Sequence, residues 1–354
     1  MTFDETGRQD RAIDRTDTVG AIGERAVIAA LTASATSGEP ADDIVIGSGD
    51  DAAVLDIGGS AVISTDTVVE GRHFRFDWST PEQVGARAVV QSAADVAAMG
   101  GRTTGLVVSI ACPSDTPVGV VLDLNDGVVR AAHGQGARVL GGDLVAAGQV
   151  VVSVTAVGAL EGRPPVSLGG ARPGDVLAVS GPLGASAAGL AVLSDPRPVV
   201  SDWSELVALH RVPNPDLTQG PVAAAAGAHA MTDISDGLVE ELLTMSRAAQ
   251  VAMTVHGDAV PRRPDLAAAA SELGRTSTAG YWPAARTITC SRRSAGPRWC
   301  RQGGPSSARW GRSPRRRPRS GSTTAGSVGP TVSNCTGGSP SPTRLVTEVP
   351  GAHH

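Results

Sequence analysis

Five short segments place an aspartate among glycine, alanine, serine or threonine beside an apolar run. They are Gly49-Asp50-Asp51-Ala52-Ala53, Ser64-Thr65-Asp66-Thr67, Asp95 near the end of a helical stretch, Gly141-Gly142-Asp143, and Asp233-Ile234-Ser235-Asp236-Gly237. A single Asp-Asp or Asp-Gly pair is most often a turn residue or a helix cap. Five such segments with no accompanying cluster of His or Cys make an all-oxygen donor set, which suits Mg²⁺ or Ca²⁺ rather than zinc or copper. Converging carboxylates repel one another unless a cation neutralises them, so the set predicts metal sites. Mg²⁺ typically bridges a few carboxylates to substrate phosphates, which makes a nucleoside triphosphate the natural ligand. The glycines of Gly141-Gly142 and of Gly181 to Gly184 can offer backbone N–H groups to those phosphates.

The elements that must carry these acids alternate between helix and strand. A helical pattern runs from Thr18 to about residue 35, and Ala61-Val62-Ile63-Ser64 reads as a strand whose end presents Thr65 and Asp66. Pro81, after the cap candidates Ser79 and Thr80, starts a helix to about Met99 that sets Val84, Ala88, Ser92 and Asp95 on one face. A strand over 105–110, a helix over 118–133, a short strand over 138–140 ending in Gly-Gly-Asp, and a strand over 150–160 follow. The layout is α/β. A turn at Arg172-Pro173-Gly174-Asp175 opens a second domain with a helix over 186–193, a short helix around Leu206, a strand ending at Asp233, a helix over 237–249 and a strand over 251–255.

Composition narrows the function classes. The 354 residues are 41% hydrophobic, enough for two domains with cores, and no apolar run approaches the roughly 18 residues of a membrane span. With no apolar leader near the N-terminus, the expected location is cytoplasmic. All 30 basic residues are arginine, which excludes a Schiff-base lysine and the lysine of a Walker A loop. Cys112, Cys290, Cys300 and Cys335 have neither metal-ligand nor disulfide-framework spacing. Charge divides the chain: residues 275–354 hold thirteen arginines against the single acid Glu348, while residues 1–274 are strongly acidic. The basic segment has no amphipathic or aromatic pattern, so nucleic acid is not an expected partner. The expected organisation is a disordered N-terminus over 1–17, an α/β domain over 18–165, a second, truncated α/β domain over 166–274, and a disordered tail over 275–354.

The aspartate segments, taken in order with Val69-Glu70-Gly71-Arg72-His73-Phe74 and Asp95-Val96-Ala97-Ala98-Met99-Gly100, resemble the thiamine-monophosphate kinase family across about residues 18–274. Gly-Gly-Asp and an acidic N-terminal loop are shared with the wider superfamily of aminoimidazole ribonucleotide synthetase and selenophosphate synthetase. The resemblance implies a two-domain fold of that superfamily with mixed sheets, dimerised through its N-terminal sheet. It also implies Mg²⁺-assisted transfer of a phosphoryl group from ATP to thiamine phosphate. Carried over by position, Asp51, Asp66, Asp95, Asp143, Asp233 and Asp236 are implied Mg²⁺ ligands, with Ser64 and Thr65 assisting. Gly142, Asp143 and Ser235 are implied nucleotide contacts, and His73 an implied contact to thiamine phosphate. Two readings stand beside this one: a catalytically inactive nucleotide-binding protein, and another ATP-using member of the superfamily.

The chain departs from the family in two places. Leu168 stands where an arginine is common, and the family's Gly-Gly-Glu-Asp segment is missing. Written in GC-rich codons and read from the third base of the Gly280 codon, residues 280–293 become Val-Leu-Ala-Gly-Gly-Glu-Asp-His-His-Leu-Leu-Ala-Thr. A displaced reading frame after about residue 275 would explain this together with the loss of acids, the excess of Arg, Ser, Pro and Gly, and the loss of hydrophobic period. On that expectation the chain lacks part of its second core and is unstable and essentially inactive.

Overall fold

The computed structural model describes residues 13–36, 43–48, 52–197, 200–275 and 289–293. The expected metal ligand Asp51 lies outside them. Helices α1 (Val19–Ile22) and α2 (Glu24–Ala35) lead to the short antiparallel pair β1 (Ile44–Ile46) and β2 (Val54–Leu55). The main sheet has the order β3-β6-β4-β5, built from β3 (Ala61–Val69), β4 (Arg102–Cys112), β5 (Arg138–Ala146) and β6 (Val151–Ala159). Only the β4–β5 pair is parallel, so the sheet is mixed as expected. The connection between these two strands is α4 (Val118–Gly134).

Helix α3 (Pro81–Ala98) packs beside α4 on one face of this sheet. The sequence specifies its start fully: Pro81 sits at the first turn, Thr80 caps the helix, and Gln83 returns the bond to complete a capping box. A Cβ on Gly85 would lie 2.0 Å from the Leu124 carbonyl oxygen, and one on Gly127 2.0 Å from that of Glu82. The two helices therefore meet backbone to backbone. The core between helices and sheet includes Val84, Val89, Leu106, Leu124, Val128, Leu144 and Val154.

The second domain contains β7 (Asp175–Val179), α5 (Ala185–Ser194), α6 (Ser204–Arg211), α7 (Gln219–Ala225), β8 (Ala230–Thr232), α8 (Leu238–Ala249) and α9 (Leu266–Glu272). Its sheet is ordered β7-β9-β8, with β9 (Thr289–Arg293) antiparallel to both neighbours. Ala97 of α3 packs with Val166, Ala178, Ala223 and Met231, which joins the two domains through an apolar contact.

Several elements differ from the sequence expectation. The first helix is two, broken at Gly23, whose φ of 86° lies in the left-handed region that glycine tolerates. Strands β3 and β5 run past their predicted ends, so Asp66 and Asp143 lie within strands rather than at strand ends. Nine residues of β3 pair in unbroken register with β6, and that ladder outweighs the turn-forming tendency of a local Asp. Residues 251–255, expected as a strand, join no sheet among the described residues; Met253 belongs to the second core, and Val251 and Val255 pack against it. Residues 13–17, expected to be disordered, are ordered because the N-terminus of α4 lacks a side-chain cap. The carbonyls of Asp17 and Arg15 accept from the N–H groups of Val118 and Gly119, and Arg15 pairs with Asp123. Finally, β9 lies in the expected disordered tail, because the edges of β7 and β8 leave a gap that main-chain hydrogen bonds fill whatever the side chains.

Candidate functional site

Successive residues of a strand face opposite sides of a sheet, and β3 sorts the site residues by that rule. Ser64, Asp66 and Val68 face the helix-covered side, and Ile63, Thr65 and Thr67 face the open side. Asp95, in the last turn of α3, receives a 2.5 Å hydrogen bond from Ser64 Oγ. One turn earlier the fully buried Ser92 donates to the Val154 carbonyl at 2.8 Å, which fixes the rotation of α3 over the sheet. The helix and the strand thus bring Ser64 and Asp95 into contact, with half-buried Asp66 on the same face.

The remaining donors lie elsewhere. Thr65 Oγ1 donates to the Val154 carbonyl at 3.3 Å and accepts from Thr155 Oγ1 at 3.1 Å, so its hydroxyl belongs to the open face. Asp143 is exposed and in register with Ser109, which is in turn in register with Ser153 and through it with Thr67, again on the open face. Its Oδ1 accepts from the Leu144 N–H at 2.9 Å. A Cβ on Gly142 would sit 1.9 Å from the Val108 carbonyl oxygen, so the approach of β4 to β5 itself requires glycine there. Among the described residues no three His, Cys, Asp or Glu side chains form a metal-holding group.

In the second domain, fully buried Ile234 anchors the Asp233–Gly237 loop in the core. Gly237, with φ of 123°, turns the chain into α8. Glu241, in the first turn of that helix, reaches back to accept from Ser235 Oγ at 3.1 Å and from the Asp236 N–H at 3.3 Å. Sequence reasoning missed Glu241. An acid in the first turn of a helix that follows such a loop is the signal that would have found it.

His73 is exposed in the turn after β3. Its Nδ1 accepts from the Val69 N–H at 3.1 Å, which leaves the neutral ring's proton on Nε2, available to a phosphate oxygen. The buried Cys112 is a free thiol, and burial raises its pKa above the ordinary value, which suits a structural role.

Family models for AIR synthase related proteins match both domains, the N-terminal one over residues 49–160 and the C-terminal one over 172–281. The thiamine-monophosphate kinase of Mycobacterium tuberculosis is 45% identical over 259 residues, 73% of this chain and 76% of that protein. This chain belongs to the thiamine-monophosphate kinase family. Among solved structures, the thiamine monophosphate kinase of Aquifex aeolicus is 27% identical with a TM-score of 0.60, over 66% of this chain and 79% of that one. AaThiL complexed with AMPPCP and TMP shares the fold, with a TM-score of 0.61 at 24% identity over 82% of this chain and 90% of that one. The chain is thus of a kinase family with the two-domain mixed α/β fold that its sequence led us to expect. Among the described residues no helix is long and apolar enough to cross a membrane.

Proposed function

We propose that this chain is built for the activity of its family, transfer of the γ-phosphoryl group of ATP to thiamine phosphate to give thiamine diphosphate and ADP, and that restoring the reading frame after about residue 275 completes it. The observation that carries the reading is the Ser64–Asp95 contact beside Asp66, an oxygen-only cluster built where α3 meets β3. It is supported by the relative solved with AMPPCP and TMP. ATP as co-substrate puts the reaction in the cytoplasm.

The donor chemistry fits Mg²⁺. Among the described residues Asp66, Asp143 and Asp236 form no ion pair with an arginine, so their charge is available to a cation. Asp66 and Asp95, assisted by Ser64, would hold a metal on the helix-covered side of the sheet; Asp143, on the open face, and Asp233 and Asp236, in the second-domain loop, would hold others, and Asp51 lies outside the described residues. The Thr65 hydroxyl faces the other side of the sheet, where it donates to the Val154 carbonyl, so it is no ligand to the metal beside Asp66. Bound Mg²⁺ would offset the charge of the phosphates. Thiamine phosphate is a monoester whose second pKa is near roughly 6, so its attacking oxygen is already ionised and needs no strong base. What remains for the protein is positioning: His73 Nε2–H toward the acceptor phosphate, and Gly142, Asp143 and Ser235 toward the nucleotide.

The open face of the β3-β6-β4-β5 sheet supports a homodimer. Ile63 is 67% exposed there, Val107 41% and Val145 42%. Apolar residues grouped on one sheet face are usually covered by a partner. The reading is tested by following thiamine diphosphate in a mixture of ATP, Mg²⁺, thiamine phosphate and the protein with its frame restored near codon 275. Binding of ATP without transfer by that protein would favour an inactive nucleotide-binding protein instead.

A further inference from the structure

We infer that the slot occupied by β9 is built for two adjacent apolar residues, and that the coding sequence supplies them in a displaced frame. The central strand of a three-stranded sheet is flanked on both edges. Register sets position 290 between Ala178 and Met231, and position 291 between Leu177 and Ala230. Paired residues share a face, so these two positions look to opposite sides. Ala178 and Met231, 9% and 2% exposed, belong to the core shared with α3 and α7. Ala230 is fully buried in the core with Ile234, Leu238 and Met245, and Leu177 packs against it. Both faces of the slot are therefore apolar, and a strand covered on both faces reads as a continuous apolar run.

The sequence reads Cys290-Ser291 at those positions and then Arg292-Arg293, which is no such run. The match to the C-terminal family model ends at residue 281, just before the slot. Now let each codon be read from the third base of the one before it. Position 290 becomes any base followed by TG, which encodes Leu, Val or Met whatever the third base of the Thr289 codon. Position 291 becomes T or C followed by the first two bases of the serine codon. With a TCN serine this encodes Phe or Leu. The displaced frame thus places an apolar residue at 290 for every codon choice, and at 291 for four of the six serine codons. This is the frame that restored Gly-Gly-Glu-Asp upstream, but the argument from register and burial does not use that motif.

This inference stands apart from the kinase reading, and its test does not measure activity. The nucleotides encoding 276–293 are determined first. The expected result is a displaced frame open throughout, with Leu, Val or Met at 290 and Leu or Phe at 291. A stop codon in it, or a polar residue at either position, overturns the inference. In the protein, the double substitution Cys290→Leu with Ser291→Leu, made in the otherwise unchanged chain, is compared with the parent by urea unfolding followed by far-UV circular dichroism. The expected midpoint rises by about 1 M, the size of shift that burying two such side chains would give. An unchanged or lower midpoint overturns the inference.

Discussion

Ser64 Oγ lies 2.5 Å from Asp95 Oδ2, so a contact that ties strand β3 to helix α3 is also a contact between two site residues. The bond is to a carboxylate and partly buried, and such bonds contribute more than neutral ones. Ser64→Ala is expected to lower unfolding stability by about 1.5 kcal/mol in denaturant titration. It should also weaken Mg²⁺ dependence of any ATP binding, because Asp95 loses one of the groups that orient it. Unchanged values in both measurements would separate this bond from the site.

Asp143 is exposed on the open sheet face, and among the described residues its carboxylate accepts one hydrogen bond, from the next residue's N–H. Asp143→Asn should therefore leave folding nearly unchanged while reducing ATP-dependent turnover by about a hundredfold or more in any active form of the chain. Circular dichroism and turnover measured on the same preparation check both halves.

Glu241 ties Ser235 and the Asp236 main chain to the start of α8. In the frame-restored protein we expect Glu241→Ala to raise the KM for ATP about tenfold, with a smaller change in kcat, because it positions contacts rather than touching the reacting atoms. Glu241→Gln keeps an acceptor oxygen and should recover most of the loss. Equal defects in the two variants would point to a charge effect instead.

Glu272 at the end of α9 accepts from the N–H groups of Val200 and Ser201 and from Trp203 Nε1. The Ser201 side chain foremost, and then these N–H groups, hold its pKa at about 2 against an ordinary 4.5. A depressed carboxylate stabilises the fold above its ordinary value, and that contribution is lost as pH falls through its folded value. Tryptophan emission followed from pH 6 downward should report the 200–203 segment loosening from α9 between about 4.5 and 2. In Glu272→Gln that acid limb should be flattened.

How far the sequence carried the reading depended on whether the signal was local. The start of α3 was legible because Thr80, Pro81 and Gln83 act within one turn. Helical period put Asp95 on or beside the buried face of α3, and in the structure it is half-buried against β3. Strand ends were not legible: Asp66 and Gly142 look like turn residues, yet the ladders to β6 and β4 carry the strands through them. The same ladders separate Asp66 from Asp143 by face, a consequence of period two that spacing along the chain does not reveal. Glu241 was missed because its partners lie five and six residues earlier, across a glycine turn. Register likewise hid the demand of the β9 slot, since its neighbours Ala178 and Met231 lie far back in the sequence.

The most direct test of the account is the phosphorus NMR spectrum of ATP, Mg²⁺ and thiamine phosphate incubated with the chain whose frame is restored near codon 275. The account predicts thiamine diphosphate and ADP in equal amounts from that protein, and essentially none from the chain as it stands. A folded, frame-restored protein that binds ATP and leaves thiamine phosphate unchanged would contradict it.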